Sequence, residues 1–173
     1  MLIMLRLISM QRIRDMRHLL EISTGPEHSV FYSGDTSLHN EFSRIGEELG
    51  PFDLTIIESG SYSDMWADTH LGPEQAVIVH KLVRGNIMMP VHWAGFNMAP
   101  HGWTEPVERV LAAAKRLDVP VTTPMPGQSI ELDNALQTRR WWPTLKWSTA
   151  ALTPVWSSDS QNELRLFPDP ALF

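Results

Sequence analysis

Apolar residues follow two distinct spacings along the middle of the chain. Four short apolar runs, bounded by turn-forming residues, have the length of buried strands: 19–22, 30–32, 52–57 and 86–91. Three longer segments repeat apolar residues at helical spacing: 41–49, 73–85 and 104–117. Because strands that alternate with helices of this length are typical of layered folds, the pattern predicts an α/β architecture.

Turn-forming residues connect several of these elements. The segment 23–28 is rich in them and separates the first two runs, which predicts a β-hairpin. After the last helix, two further short strands are expected at 119–123 and 128–132, joined by a Pro/Gly turn at 124–127. The sequence contains no internal repeat and no low-complexity tract.

Three of the predicted strands are followed by side chains that can bind a metal or transfer a proton. His92 directly ends the last apolar run, Asp35 follows the second, and His70 follows the third. In α/β sheets such loops can converge on one edge, where sites are usually built. We therefore expect Asp35, His70 and His92 to lie close together.

Each of these residues also has a structural alternative that the sequence leaves open. His92 fits a histidine at the edge of the core that bonds to a backbone carbonyl. Asp35, which follows a glycine, fits a turn carboxylate that accepts backbone N–H groups. His70 fits a solvated residue ahead of a helix.

The remaining histidines are assigned to packing or to the surface. His80 lies on the apolar side of the 73–85 helix and is expected to pack in the core. The other four have no partner at ligand spacing and are placed on the surface: His18, His28, His39 and His101.

Composition narrows the chemistry that the chain can perform. With 173 residues, of which 43% are hydrophobic, it can bury one ordinary core. The net charge of -6 argues against a nucleic-acid partner, because phosphate binding needs a clustered basic surface. The absence of cysteine excludes disulfides, zinc–thiolate sites and thiol nucleophiles, so any metal must be held by His, Asp or Glu.

The two ends of the chain differ from its middle, and they set three expected segments: 1–18, 19–133 and 134–173. The first segment is apolar and basic, lacks the features of a signal peptide and is too short to span a bilayer. It fits either an amphipathic N-terminal segment or a non-native start of the chain. We expect a cytoplasmic protein without a membrane span. The Trp/Pro-rich tail fits a strap packed over the domain or, alternatively, an interfacial or partner-binding segment.

Seven motifs in the middle segment resemble, in their order, the C-terminal half of the metallo-β-lactamase-fold hydrolases. They are YSGDT (32–36), IGE (45–47), GPFDL (50–54), ESGSY (58–62), HLGPEQAV (70–77), PVHWAGF (90–96) and PGQ (126–128). The branch they resemble contains N-acyl-phosphatidylethanolamine phospholipase D and the L-ascorbate-6-phosphate lactonases. The fold that this implies is half of an αββα sandwich, a mixed sheet flanked by helices.

The resemblance also implies a chemistry. Members of the family hold two metal ions, usually Zn²⁺ with Mn²⁺ as an alternative, and hydrolyse phosphodiester, ester or lactone bonds of small or lipid-like molecules. By similarity, Asp35 would bridge the two metals and His92 would bind the second one. His70 would lie at the mouth of the site as an acid–base or substrate-positioning group.

The sequence departs from the family in one respect. The family's His-x-His-x-Asp-His cluster is absent, so Asp35 and His92 supply two ligands where catalytic zinc takes three. We therefore expect a hydrolase that needs ligands from another segment or chain, either a second copy or a complementary N-terminal half. The alternative is a non-catalytic, truncated remnant or partner-dependent interaction module that binds no metal. In both cases one apolar sheet face is expected to lack its family partner.

Overall fold

The computed structural model describes residues 21–24, 27–132 and 139–158. The strands in these ranges are β1 (Glu21–Thr24), β2 (Ser29–Tyr32), β3 (Phe52–Glu58) and β4 (Gly85–Val91). The helices are α1 (Glu41–Leu49), α2 (Pro73–Leu82) and α3 (Glu105–Leu117), and a short 3₁₀ helix spans Asp64–Trp66. Their order confirms the alternation of strands and helices that the apolar spacing predicts.

The whole of the first predicted terminal segment and part of the last lie outside the described residues. These parts are 1–18, 134–138 and 159–173. No helix within the described ranges combines the length and the hydrophobicity that crossing a lipid bilayer requires.

The strands form one mixed sheet in the order β1-β2-β3-β4. β1 pairs antiparallel with β2 and places Ile22 opposite Phe31, which confirms the predicted hairpin. β2, β3 and β4 run parallel, and their register sets Phe31, Thr55 and Met88 side by side. Because parallel strands end at the same edge of a sheet, the loops that follow these three strands lie on one side of the molecule.

The helices α1, α2 and α3 pack on the sheet face that carries Phe31 and Met88. The core cluster joins these two side chains to Phe42 of α1, Val77 of α2 and Val110 of α3, and all five are 0% exposed. Burying each such side chain contributes on the order of 2 kcal/mol, so this layer holds the helices against the sheet.

His80 belongs to the same core, as its place on α2 predicts. Its residue is 2% exposed, and its Nδ1 atom lies 2.7 Å from Oγ1 of Thr55 on β3. Burial lowers the pKa of His80 to about 4. The imidazole is therefore neutral at physiological pH and acts as a packing residue.

Three histidines that the sequence places on the surface are half-buried, so that assignment is wrong for them: His28, His39 and His101. His39 stacks on Phe42 and His101 stacks on Tyr62, with ring centroids 4.1 Å apart in both pairs. An imidazole has two apolar faces that pack well against aromatic rings, and sequence spacing does not report such a contact. His18 lies outside the described residues.

The sheet face opposite the helices is largely apolar and only partly buried. Two rows of neighbouring side chains cross it: Val30, Leu54 and Ile87, then Tyr32, Ile56 and Met89. Leu54 is buried, whereas Tyr32 is 36% exposed and the other four are half-buried. The structure thus contains the apolar sheet face that the family resemblance leads us to expect.

The strand predicted at 119–123 is reduced to a single parallel bridge between Val121 and Met88. Two backbone hydrogen bonds flank it, from Met88 N–H to the Pro120 carbonyl and from Thr122 N–H to the Met88 carbonyl. Pro120 has no N–H to donate, so the ladder cannot extend towards the preceding residues.

The prediction of a strand at 128–132 is wrong. The N–H of Gln128 donates to the carbonyl of Met125 at 2.8 Å, and the N–H of Met125 donates to Oε1 of Gln128 at 3.0 Å. These two bonds close a local turn and occupy the backbone group that would begin a strand.

The tail segment 139–158 packs along α3, as the strap interpretation predicts. Trp142 is 3% exposed, and its Nε1 atom donates to Oε1 of Glu108 at 2.9 Å. Arg140 forms an ion pair with the same carboxylate. One acidic residue of α3 therefore anchors two side chains of the strap.

Candidate metal and catalytic site

Four side chains that can bind a metal meet at the carboxyl-terminal edge of the parallel strands. Asp35, Glu58, His70 and His92 each offer one nitrogen or oxygen atom, and these atoms lie within 4.8 Å of one another. Glu58 ends β3, and the others lie in the loops after β2, β3 and β4. The structure thus brings together the three residues that the sequence singles out and adds a fourth.

Asp35 is placed by a tight turn after β2. Gly34 has a φ of 57°, in the left-handed region that glycine adopts without strain. The end of β2 is fixed against β3, because Ser33 donates its N–H to the Ile56 carbonyl and accepts the Glu58 N–H at its Oγ, both at 3.0 Å. The carboxylate of Asp35 is 61% exposed and remains accessible to a ligand.

Glu58 is the site residue that the sequence analysis missed. Its side chain is 1% exposed, and its Oε1 atom accepts the N–H groups of Thr36 and Leu71, the latter at 3.4 Å. Because each of these donors directly follows a candidate site residue, Glu58 ties the two loops together. The sequence does carry a signal for it, namely an acidic residue directly after the apolar run 52–57.

His70 is not the solvated residue that its local sequence allows. Its side chain is 14% exposed, and its Nδ1 atom lies 2.7 Å from Oε2 of Glu58. This hydrogen bond raises the pKa of His70, while burial raises the pKa of Glu58. The two groups therefore form a coupled acid–base pair.

The backbone at His92 adopts a conformation that few residues other than glycine take. Its φ is 64°, in the left-handed region. The backbone of His92 lies directly against Gly60, where a side chain would overlap the His92 carbonyl oxygen. Strained residues of this kind persist where the surrounding structure holds them, often at functional sites.

The two ring nitrogens of His92 face different carboxylates. Nε2 lies 3.7 Å from Oδ1 of Asp35, and Nδ1 lies 3.6 Å from Oε2 of Glu58. The ring stacks on that of His70, with centroids 4.9 Å apart and planes inclined by 25°. Two ligands of one zinc ion, each about 2 Å from it, are separated by a similar distance, so Nε2 and Oδ1 fit a shared cation.

The donor set fits a divalent cation that takes nitrogen and oxygen ligands. Two imidazoles and two carboxylates meet here, and the chain contains no thiol. Such a set suits Zn²⁺ and also Mn²⁺. Asp35 and His92 would hold the ion, because Oδ1 and Nε2 approach each other without a hydrogen bond and the carboxylate of Asp35 is exposed, whereas that of Glu58 is buried.

An apolar groove with a volume of about 510 Å³ adjoins His92. Met89 of β4, Met125 and Trp141 are among the residues that line it. Trp141 stacks on Trp93 with ring centroids 5.2 Å apart. Because Trp93 directly follows His92, this stacking holds Trp141 next to the site. The groove places apolar surface beside the candidate metal ligands, a common arrangement in binding sites.

Known proteins are similar in sequence to the part of the chain that builds this site. The sequence profile of the β-lactamase superfamily domain matches residues 19–93, a range that includes all four clustered side chains. An uncharacterized protein of Mycobacterium tuberculosis is 43% identical over 121 residues, which make up 68% of this chain and 32% of that protein. The chain therefore spans about a third of the length of this relative.

Two further relatives have names that describe a reaction. The N-acyl-phosphatidylethanolamine-hydrolyzing phospholipase D 1 of Caenorhabditis elegans is 42% identical over 84 residues, which cover 47% of this chain and 23% of that protein. A protein of Methanosarcina mazei named as a metal-dependent hydrolase is 30% identical over 105 residues, which cover 61% of this chain and 41% of that protein.

Proposed function

The chain belongs to the metallo-β-lactamase superfamily, and we propose that it takes part in the metal-dependent hydrolysis of a phosphodiester, carboxylic ester or lactone bond. The observation that carries this proposal is the meeting of Asp35, His70 and His92 at one edge of the sheet. A carboxylate and two imidazoles in one cluster combine the means to bind a metal with the means to transfer a proton.

In this proposal Asp35 and His92 are metal ligands. The exposed carboxylate of Asp35 has two oxygens, which allows it to bridge two cations. His92 approaches it with Nε2, and the stacking on His70 limits rotation of the ring. Both ligands stand on turns tied to the ends of strands, which favours a rigid site.

Zn²⁺ is the proposed ion and Mn²⁺ the alternative, since the cluster offers imidazole and carboxylate donors. When bound, the ion would polarise the scissile phosphoryl or carbonyl group and acidify a water molecule. His70 is the proposed acid–base residue. With Nδ1 bonded to Glu58, its Nε2 atom carries the lone pair that can accept a proton from water and pass it to the leaving group.

The proposed substrate is a small or lipid-like molecule in which the scissile bond is joined to an apolar group. The groove that Met89 and Trp141 help to line adjoins His92 and would receive the apolar part. Similarity to a relative named for hydrolysis of N-acyl-phosphatidylethanolamine supports a phosphodiester of this kind.

We also propose that another segment or a second chain completes the site. Asp35 and His92 supply two ligands, whereas catalytic zinc sites take three from protein. The apolar sheet face that includes Val30, Ile56 and Ile87 is half-buried and offers a surface for such a partner. A second copy and a complementary N-terminal half are the two candidates.

The test is the zinc and manganese content of the purified chain after removal of loosely bound metal. The same preparation is assayed with bis(p-nitrophenyl) phosphate, p-nitrophenyl butyrate and a chromogenic lactone. We expect about one or two ions per wild-type chain and loss of metal and of hydrolysis in Asp35→Ala and in His92→Ala.

The two control variants are Glu48→Ala, which removes a carboxylate, and His28→Ala, which removes an imidazole. Glu48 lies near the end of α1 and His28 lies just before β2, away from the site. Both should keep the metal and the activity of the wild type. A wild-type chain that retains no metal would contradict hydrolysis by this chain and by a pair of its copies, and would leave the non-catalytic, partner-dependent module as the working function of the chain.

A further inference from the structure

We infer that Glu58 is a positioning residue that fixes the tautomer of His70 and holds the Nδ1 edge of His92, an inference that rests on the proposed function of the cluster. This role is distinct from metal binding. The buried carboxylate presents the Nε2 atoms of both imidazoles to ligands.

The two oxygens of Glu58 have separate partners. Oε1 accepts the backbone N–H groups of Thr36 and Leu71. Oε2 lies 2.7 Å from Nδ1 of His70 and 3.6 Å from Nδ1 of His92. Because the two rings are stacked, a single oxygen reaches the same edge of both. Glu58 therefore stands behind the histidines, on the side opposite their Nε2 atoms.

This arrangement determines where a neutral His70 carries its proton. A carboxylate oxygen can only accept, so Nδ1 must donate the hydrogen bond of 2.7 Å. The lone pair of the neutral ring is then on Nε2, which is the atom available to a metal or to a substrate proton. Carboxylates that fix the tautomer of a histidine in this way are common around metal sites.

Both oxygens of Glu58 already accept hydrogen bonds, which argues against Glu58 as a metal ligand. Its side chain is 1% exposed, whereas that of Asp35 is 61% exposed. To bind a cation, Glu58 would have to give up the bond to His70 or the bonds to the two backbone N–H groups. A buried acceptor or donor left without its partner costs free energy, so the positioning role is favoured.

Glu58→Gln is the decisive substitution because it keeps the size of the side chain and changes one hydrogen-bonding group. Thr36 and Leu71 both donate to the Oε1 position, so the amide oxygen of the glutamine must remain there. Its NH₂ group then occupies the Oε2 position and donates to Nδ1 of His70. The proton of the neutral ring is thereby forced to Nε2, which loses its lone pair.

The experiment records the ¹⁵N chemical shifts of the histidine side chains of the full chain at alkaline pH, where imidazoles are neutral. His70→Gln identifies the resonances of His70. We expect the Nδ1–H tautomer in the wild type and the Nε2–H tautomer in Glu58→Gln, together with a loss of zinc affinity of about 10- to 100-fold. The matched control is Glu41→Gln, which removes an exposed carboxylate on α1 and should leave both quantities unchanged.

The tautomer is read without metal, so this inference and the proposed function can fail separately. An Nε2–H tautomer of His70 in the wild type would overturn the inference even if Glu58→Gln fails to fold. A variant that loses zinc but keeps the Nδ1–H tautomer would also overturn it and identify Glu58 as a ligand. A wild type that binds no zinc but shows the expected change of tautomer would support the positioning role while contradicting the metal proposal.

Discussion

Arg109 of α3 donates two hydrogen bonds to the carboxylate of Glu74 of α2, from Nε at 2.9 Å and from Nη2 at 2.7 Å. The arginine side chain is 0% exposed and that of the glutamate 5% exposed. Nη1 of Arg109 also donates to the carbonyl of Thr153 at 3.0 Å. This buried ion pair therefore joins two helices and the strap 139–158, and its bidentate geometry offsets part of the cost of burying both charges.

Arg109→Ala should destabilise the chain strongly. Removal of the guanidinium leaves the carboxylate of Glu74 buried without its ion-pair partner, and we expect a loss of about 4 kcal/mol in the free energy of unfolding. Arg44→Ala is the matched control, because its pair with Glu41 is exposed and should contribute roughly 0.5 kcal/mol. Urea unfolding followed by circular dichroism measures both, and equal losses in the two variants would contradict the importance of the buried pair.

His80 should make the stability of the fold depend on pH. Its pKa is lowered from 6.5 to about 4 in the folded chain, so the unfolded chain binds a proton more readily. The stabilisation is complete above pH 6.5 and is lost as the pH falls toward 4, by up to about 3 kcal/mol in all. The free energy of unfolding of the wild type, measured across this interval, should therefore fall more steeply than that of His80→Gln.

Thr55→Val separates burial from hydrogen bonding as the cause of this effect. The hydroxyl of Thr55 lies 2.7 Å from Nδ1 of His80, so its removal should cost about 1 kcal/mol at every pH. Desolvation by burial is the main cause of the lowered pKa, and it remains in this variant. A wild-type pH dependence that vanishes in Thr55→Val would show that the hydrogen bond is the cause instead.

Trp142 should carry most of the binding energy of the strap. It is 3% exposed and packs edge-on against Trp93 and Trp141. Trp142→Ala should lower the free energy of unfolding by about 4 kcal/mol, because a large buried side chain leaves a cavity. Trp156→Ala, at a residue that is 48% exposed, should cost roughly 0.5 kcal/mol. Limited proteolysis should cut within 139–158 faster in Trp142→Ala, and equal rates in both variants would contradict this role.

Much of the fold could be predicted because apolar spacing reports burial directly. The run 52–57 and the helix Glu41–Leu49 were identifiable from spacing and turn residues alone. The parallel order of β2, β3 and β4 then explains why Asp35 and His92 meet. The strand predicted at 128–132 does not form, since a strand also needs a neighbouring strand to pair with, which a local apolar pattern does not specify.

The partners of Glu58 and the ion pair of Arg109 could not be predicted, because they depend on contacts across the fold. Arg109 lies on a helix in which a charged residue normally faces solvent, and its partner on α2 is distant in sequence. Glu58 has an acidic side chain on a buried strand end, and its four contacts come from three different loops. Only the folded arrangement reveals such partners.

Gly60→Ala should disturb the site through the backbone of His92. A methyl group on Gly60 would overlap the carbonyl oxygen of His92, which is a backbone atom and cannot rotate away. The loops after β3 and β4 must then move apart, at a cost of about 2 kcal/mol in the free energy of unfolding. The same movement displaces the ring of His92, so zinc affinity should fall at least about tenfold.

Gly95→Ala is the control for this substitution, since it lies in the loop that follows His92. A methyl group there would meet no heavy atom within 4 Å among the described residues. Its unfolding free energy should change by roughly 0.5 kcal/mol or less, and its zinc affinity should remain that of the wild type. Isothermal titration with zinc and thermal unfolding of both variants provide the measurement. If Gly60→Ala binds zinc as tightly as Gly95→Ala does, the close approach of Gly60 to His92 does not position the metal ligand.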